Sequence, residues 1–182
     1  MKLESLQDLY LEQLRDLYDA EHQLIKALPK MAKAASSSEL RDAFEDHLEK
    51  TKEHARRIET ILEGLGEKAK GQKCRAMEGL VKEGGEVIEE DMDEGVKDAA
   101  LIAAAQRVEH YEMAGYGCVR TYATLLEDSD AVSLLEQTLE EEKEADEVLG
   151  RIAEQINVEI PQGKEHSAKP ANSMSRRSKS AA

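Results

Sequence analysis

The sequence predicts an all-α protein that folds as an antiparallel four-helix bundle. Its 182 residues are rich in Leu, Ala, Glu and Lys, and only 3% are aromatic. Glycine and proline are sparse, at 11 and 3 residues, so long stretches carry no helix breaker. Within these stretches apolar residues recur at alternating spacings of three and four, the pattern that keeps one stripe of each helix facing a bundle core.

Length and charge restrict the classes of function. The chain is long enough for one well-buried domain. Its formal net charge of -14 repels phosphate backbones and anionic lipid, which makes cations better partners than nucleic acid. Because no run of about 18 apolar residues and no secretory signal is present, we expect a soluble, cytoplasmic protein without a membrane segment. Cys74 and Cys118 lack CxxC spacing and are expected to be free thiols.

Two predicted helices form the first hairpin. The first runs over residues 3–35 and is expected to bend near Pro29, whose ring disturbs the preceding turn. Ser36 and Glu39 have capping-box spacing, which predicts the start of a second helix that ends near Leu65. Because the serine loop between them is short, the two helices should be antiparallel neighbours.

A long connection separates this hairpin from a second one. Residues 66–95 include one short predicted helix, over Cys74–Glu90. A third long helix is predicted over 96–127, and a fourth begins after the capping residues Asp128 and Ser129 and ends near 156. Two helical hairpins joined by one long crossover are the topology of ferritin-like bundles.

The last residues have a different composition. Residues 1–157 are predicted to form the bundle, and residues 158–182 a disordered basic tail, because they contain hardly any large apolar residue. Five basic residues against two acidic ones give this tail a charge of +3. It could touch nucleic acid or an acidic partner weakly, or it could act only as a solubilising extension.

Acids and histidines interrupt the apolar seam of every long helix. Each interruption lies roughly 20 to 25 Å from the loop of its hairpin, at 1.5 Å per residue, so all four should fall in one layer. Carboxylates that converge in an apolar interior repel one another unless a cation lies between them. Carboxylate and imidazole ligands without thiolate suit iron or manganese. The interrupting residues are Glu21, His47, His54, Glu112, Glu142 and Asp146.

Each interruption has a simpler explanation when it is taken alone. A single glutamate on a seam can reach solvent, and Glu142 and Asp146 lie in an acid-rich run that could be a solvated face. Agreement of four seams in residue type and height favours the metal site. Glu109 is either a further ligand or an exposed acid. Tyr18 and Tyr111 could donate hydrogen bonds to ligating carboxylates or only pack between helices.

Five stretches of the sequence resemble the bacterial YciE/YciF stress-response family over about residues 3–157. They are LYDAEHQLIKALPKMAKAA, AFEDHLEKT, KCRAMEGLVKE, DAALIAAAQRVEHYEMAGYG and LEEEKEAD. The resemblance implies a ferritin-like, metal-binding dimer of poorly defined activity. Lys50 stands where family members often have a carboxylate, which gives His54 more weight as a ligand. The residues to which the resemblance carries a metal role are Glu21, His47, Glu109, Glu112, Glu142 and Asp146.

These observations lead to one main hypothesis and two alternatives. The main hypothesis is a protein that binds two ions of iron or manganese and reacts with oxygen or peroxide under stress, as an oxidoreductase of the di-metal carboxylate class. The first alternative is a structural or interaction dimer without metal redox activity, in which the Lys50 ammonium replaces a cation. The second is nucleic-acid association through the tail. Apolar residues outside the seams, such as Leu11, Leu48 and Leu62, are compatible with the homodimer that the resemblance implies.

Overall fold

The computed structural model describes residues 3–161, and all regular structure in this range is helical. The predicted all-α fold and the short helix in the crossover are confirmed. Residues 162–182, most of the predicted tail, lie outside the described range, and residues 158 and 159 belong to the last helix. The helices are α1 (Leu6–Ala34), α2 (Ser38–Gly64), α3 (Arg75–Glu89), α4 (Glu94–Leu125) and α5 (Ser129–Glu159).

The four long helices pack as two hairpins. The α1/α2 and α4/α5 hairpins have the most extensive interfaces, and they meet through α1 against α4 and α2 against α5. The crossover helix α3 lies on the outside, against α1 and α4. This is the ferritin-like arrangement that the chain order predicted.

The serine loop differs from its prediction by one residue. Ser37, and not Ser36, caps α2, and its hydroxyl accepts from the Leu40 amide at 3.3 Å. The reason lies on another helix, because the buried Asp98 of α4 accepts from both serine amides, at 2.9 Å and 2.8 Å. The predicted cap at Asp128 is confirmed, with its carboxylate accepting from the Ala131 amide at 3.1 Å.

Left-handed residues end α2 and α4. Gly66 has φ 74° and Glu127 has φ 60°. In both places the next amide bonds back to a carbonyl five residues earlier, which satisfies carbonyls that the helix end leaves free. This geometry ends α4 at Leu125, two residues before the predicted end. Pro29 lies inside α1, which continues to Ala34, and the bend there stays a prediction.

Two apolar cores lie one above the other in the bundle. One contains Leu24, Phe44 and Leu149, and the other contains Leu17 and Ile58. On every long helix the acids and histidines fall between residues of one core and residues of the other. Leu62, which was predicted outside the seam, is fully buried in the second core and is therefore not available to a dimer interface.

Candidate metal centre

Six side chains from the four long helices converge between the two apolar cores. In two overlapping groups, one ligand atom from each residue lies within 4.8 Å of the others. The first group contains His47, Glu109, Glu112 and Glu142, and the second contains Glu21, His54 and Glu142. Glu142 belongs to both. We refer to these six residues as the polar cluster.

Helical spacing explains why these side chains share a face. His47 and His54 are seven residues apart, two turns of α2, and Glu109 and Glu112 are one turn apart on α4. Glu109, for which the sequence left two interpretations open, is only 2% exposed and belongs to the first group.

Asp146 does not join either group. Its side chain is 25% exposed, accepts from Gln106 Nε2 at 3.1 Å and lies 3.5 Å from His110 Nε2. Asp146 lies four residues after Glu142, and four residues turn a helix by one full turn and about 40°. The Asp146 side chain is therefore rotated away from that of Glu142, toward the flank of the bundle. The structure therefore leaves this predicted ligand outside the polar cluster.

The two histidines contact the carboxylates directly. His54 Nδ1 lies 2.9 Å from Glu142 Oε1 and 3.8 Å from Glu21 Oε1. His47 Nε2 lies 3.5 Å from Glu109 Oε1 and 3.7 Å from Glu142 Oε2. Burial opposes a charge on His54, but Glu142 and Glu21 raise its pKa to about 9. Burial lowers the pKa of His47.

Burial also separates the pKa values of the four carboxyl groups. It raises the pKa of Glu21 to about 8, and it raises those of Glu109 and Glu112 well above their ordinary value, with a further contribution from the charge of Glu142. Burial would raise the pKa of Glu142 as well, but its contact with His54 and the charges of both histidines hold it low. In the absence of metal, protons therefore occupy part of the polar cluster near neutral pH.

An ion pair that the sequence analysis missed supports His54. His54 Nε2 lies 2.8 Å from Glu141 Oε2, and Arg57 donates two hydrogen bonds to the same carboxylate, at 2.5 Å and 3.1 Å. Arg57 also donates to the Thr138 hydroxyl at 3.0 Å. With Nε2–H donated to Glu141, a neutral His54 directs the Nδ1 lone pair toward the cluster, as metal-ligating histidines do. The signal in the sequence was Arg57, one turn after His54.

The tyrosine that supports the cluster is Tyr116. It is fully buried, and its hydroxyl donates to Glu21 Oε1. Of the two roles left open for Tyr18 and Tyr111, a hydrogen bond to a cluster carboxylate is not the one that the structure shows. Tyr111 donates to Asp16 at 2.5 Å, and the ring of Tyr18 packs against His22. Tyr116 lies one turn after Glu112 on α4, and this spacing was the signal for it.

The donor atoms of the cluster fit a metal ion. Within the described residues, both ring nitrogens of His47 and at least one oxygen of each cluster glutamate are buried without a hydrogen-bond partner. Buried polar atoms rarely lack a hydrogen-bond partner, and a bound cation would interact with all of these nitrogen and oxygen atoms at once. Lys50 does not supply that charge, because its ammonium group lies 3.2 Å from the exposed Glu144.

Sequence comparison relates this chain to a known protein family. Residues 5–160 match the family described as a domain of unknown function, DUF892. Protein YciF from Escherichia coli (strain K12) is 48% identical over 147 residues, which cover 80% of this chain and 89% of YciF. The chain belongs to the YciE/YciF family. The family match extends from just before α1 to the residue after α5.

Solved structures support the same assignment. The E. coli stress protein YciF superposes with a TM-score of 0.84 at 45% identity, covering 87% of this chain and 100% of that one. YcfI from Rhodopseudomonas palustris, named as a candidate structural protein, gives a TM-score of 0.80 at 42% identity over 82% of this chain and 95% of its own.

A distant structure carries information on the fold alone. A two-domain protein from Anabaena variabilis, with DJ-1/ThiJ/PfpI-like and ferritin-like domains, matches with a TM-score of 0.59 at 16% identity. The match covers 92% of this chain and 42% of that protein.

Among the helices that the structure describes, none is both long and apolar enough to cross a membrane.

Proposed function

We propose that this protein binds two divalent cations, of iron or manganese, in the polar cluster. The observation that supports this most directly is the set of buried donor atoms without hydrogen-bond partners, which come from four helices and are all oxygen or imidazole nitrogen. An unsatisfied set of this size costs several kcal/mol in a dry interior, and a bound cation removes that cost.

The two overlapping groups suggest how the ions would be held. His47, Glu109 and Glu112 would hold one ion, Glu21 and His54 would hold the other, and Glu142 would lie between the two. Tyr116 would keep Glu21 oriented, and the Glu141–Arg57 pair would keep His54 oriented. A bound pair of metals supplies Lewis acidity and, for iron or manganese, redox capacity.

The broader role that we propose is an oxidoreductase of the di-metal carboxylate class that reacts with dioxygen or peroxide under stress. It rests on the ligand set and on the family, whose relative YciF is named a stress protein. We also propose that the protein is a homodimer, as the family resemblance implies, and that it is cytoplasmic, as its sequence leads us to expect. The apolar, half-buried Leu11 and Leu48 remain compatible with such an interface.

Metal content tests the proposal. Protein purified without chelators is expected to contain about two equivalents of iron or manganese per chain, or to take them up on titration. Glu142→Ala should abolish binding at both positions because Glu142 belongs to both groups. Glu144→Ala, on the same helix with a side chain 59% exposed, is the matched control and should bind normally. A metal content near zero together with no binding on titration would refute the proposal.

A structural dimer without metal redox activity is the second candidate, and the naming of YcfI as a candidate structural protein favours it. The two candidates predict different responses to metal. A melting temperature that changes with neither added metal nor chelator would support the structural role. A metal-binding protein, in contrast, becomes more stable as metal is added. Nucleic-acid association through residues 158–182 stays a separate prediction, which a truncation after residue 157 tests by DNA retention.

A further inference from the structure

One side of the polar cluster is less enclosed than the rest. Glu21, His54, Glu112 and Glu142 are each 0% exposed. His47 is 7% exposed and Glu109 is 2% exposed, and these two line a cavity of about 120 Å³. The other end of this cavity is bounded by the exposed Asp46 and the half-buried Lys50. The cavity therefore connects the surface with the His47 side of the cluster.

The walls of the cavity are apolar. They are formed by Ala43 and Phe44 of α2 and by Ala145, Val148 and Leu149 of α5. A divalent cation that travelled this way would lose water between the mouth and His47 without gaining a ligand, which is costly. A small neutral molecule loses far less hydration free energy than an ion does, and a cavity of about 120 Å³ suits molecules of this size.

Lys50, which lines the surface end of the cavity, forms an ion pair with Glu144 of α5. Lys50 Nζ lies 3.2 Å from Glu144 Oε2, and this pair joins α2 to α5 at the surface. The two side chains are 38% and 59% exposed, so their pairing is weak and can open. A weak surface pair of this kind does not by itself close the surface end of the cavity.

We propose that this cavity is the passage by which a small neutral oxidant, of the size of dioxygen or hydrogen peroxide, reaches the His47 half of the polar cluster. The inference rests on the proposed metal-binding function and adds a direction of approach to it. Ala145 and Ala43 line this passage, and their small side chains keep it wide enough for such a molecule. Neither residue is among the proposed metal ligands.

The test separates entry from metal binding. Ala145→Leu would fill the passage, and Ala27→Leu is the matched control, because Ala27 lines a different cavity of about 250 Å³ between α1, α3 and α4. Each protein is loaded with Fe²⁺ without oxygen, its Fe²⁺ affinity is measured at equilibrium, and the rate of nitric oxide binding to the iron is followed by stopped-flow absorbance. Nitric oxide serves as a neutral diatomic probe.

We expect Ala145→Leu to slow nitric oxide binding by about tenfold or more, since entry would then require local opening of the bundle. Its Fe²⁺ affinity should stay within about twofold of wild type, and Ala27→Leu should match wild type in both measurements. Normal Fe²⁺ affinity with an unchanged nitric oxide rate in Ala145→Leu would overturn the passage alone. Wild-type protein that binds neither Fe²⁺ nor Mn²⁺ would overturn both proposals.

A second variant can be measured if Ala145→Leu does not fold. Ala43→Leu fills the same cavity from α2. If Ala145→Leu fails to fold, as judged by circular dichroism, Ala43→Leu is expected to slow nitric oxide binding in its place, and an unchanged rate there would refute the passage.

Discussion

The two histidines of the polar cluster have different surroundings. His54 is fully buried, its Nε2 contacts the Arg57-paired Glu141, and its Nδ1 lies 2.9 Å from Glu142 Oε1. His47 has no hydrogen-bond partner among the described residues at either ring nitrogen, and it borders a cavity that reaches the surface. The His54 half thus has an ion pair that supports it before any metal binds, whereas the His47 half lacks such support and borders a cavity.

Loss of the support for His54 should have the largest effect. Arg57→Met leaves the partly buried Glu141 without its guanidinium partner and is expected to lower the free energy of unfolding by about 3 kcal/mol. Urea denaturation measures this loss. Arg56→Met, next to it with a side chain 69% exposed, is the control and should change little. Equal stability of the two variants would show that the His54 half is not held as described.

Glu141→Gln tests whether this support reaches the metal. The amide cannot hold the His54 imidazole as the carboxylate does, so metal affinity at the His54 position should fall by about 10- to 100-fold, while the His47 position keeps its affinity. Calorimetric titration with Mn²⁺ resolves the two positions. Glu140→Gln, with a side chain 65% exposed, is the matched control. A fall at both positions would contradict the difference between the halves.

The pH dependence of the metal-free protein is the next test. The pKa of Glu21 rises from 4.5 to about 8 and that of His54 from 6.5 to about 9, so the folded state binds more protons than the unfolded chain between these values. Stability should therefore fall, by at least about 1 kcal/mol, as pH rises from 5 to 9. The lowered pKa of His47 acts in the opposite direction below about pH 6.5, its ordinary value, and is outweighed by the raised pKa values of the cluster glutamates other than Glu142. The lowered pKa of Glu142 acts only below about pH 4.5, its ordinary value.

Bound metal should reverse this trend, because it replaces the protons and binds more tightly as they leave. Chemical denaturation at several pH values, with and without Mn²⁺, measures both slopes. Metal-free stability that increases with pH over this range would be inconsistent with protons in the cluster.

Neutralising Lys50 should have the smallest effect. Its ion pair with Glu144 is solvent-exposed, so Lys50→Gln is expected to change the free energy of unfolding by no more than about 0.5 kcal/mol. Thermal melting with and without chelator measures it. A large loss of stability would indicate that the Lys50 ammonium replaces a cation, as the structural alternative requires.

Periodicity explains how much of the fold and site was predictable. Spacings of three and four placed Glu21, His47, His54, Glu112 and Glu142 on inward faces, and counting along the hairpins gave them a common height. The structure brings those five together. Periodicity assigns a face but not an exact angle, so Asp146, at the edge of the same stripe, was placed inward although its side chain lies at the flank.

Contacts between helices were the part that the sequence did not reveal. Glu141 lies beside Glu142 in an acid-rich run, and only the approach of Arg57 from α2 distinguishes it from a solvated acid. In the same way Asp98 of α4 sets the start of α2 through two serine amides, a contact over 61 and 62 positions that no local capping pattern records.

Anomalous diffraction from crystals of the manganese- or iron-loaded protein would show directly whether the polar cluster binds two metal ions. We expect two anomalous peaks about 3.5 to 4 Å apart between the apolar cores, with Glu142 bonded to both, His47 to one and His54 to the other. Crystals soaked with either metal that contain no peak inside the bundle, or peaks only at surface carboxylates, would contradict this expectation.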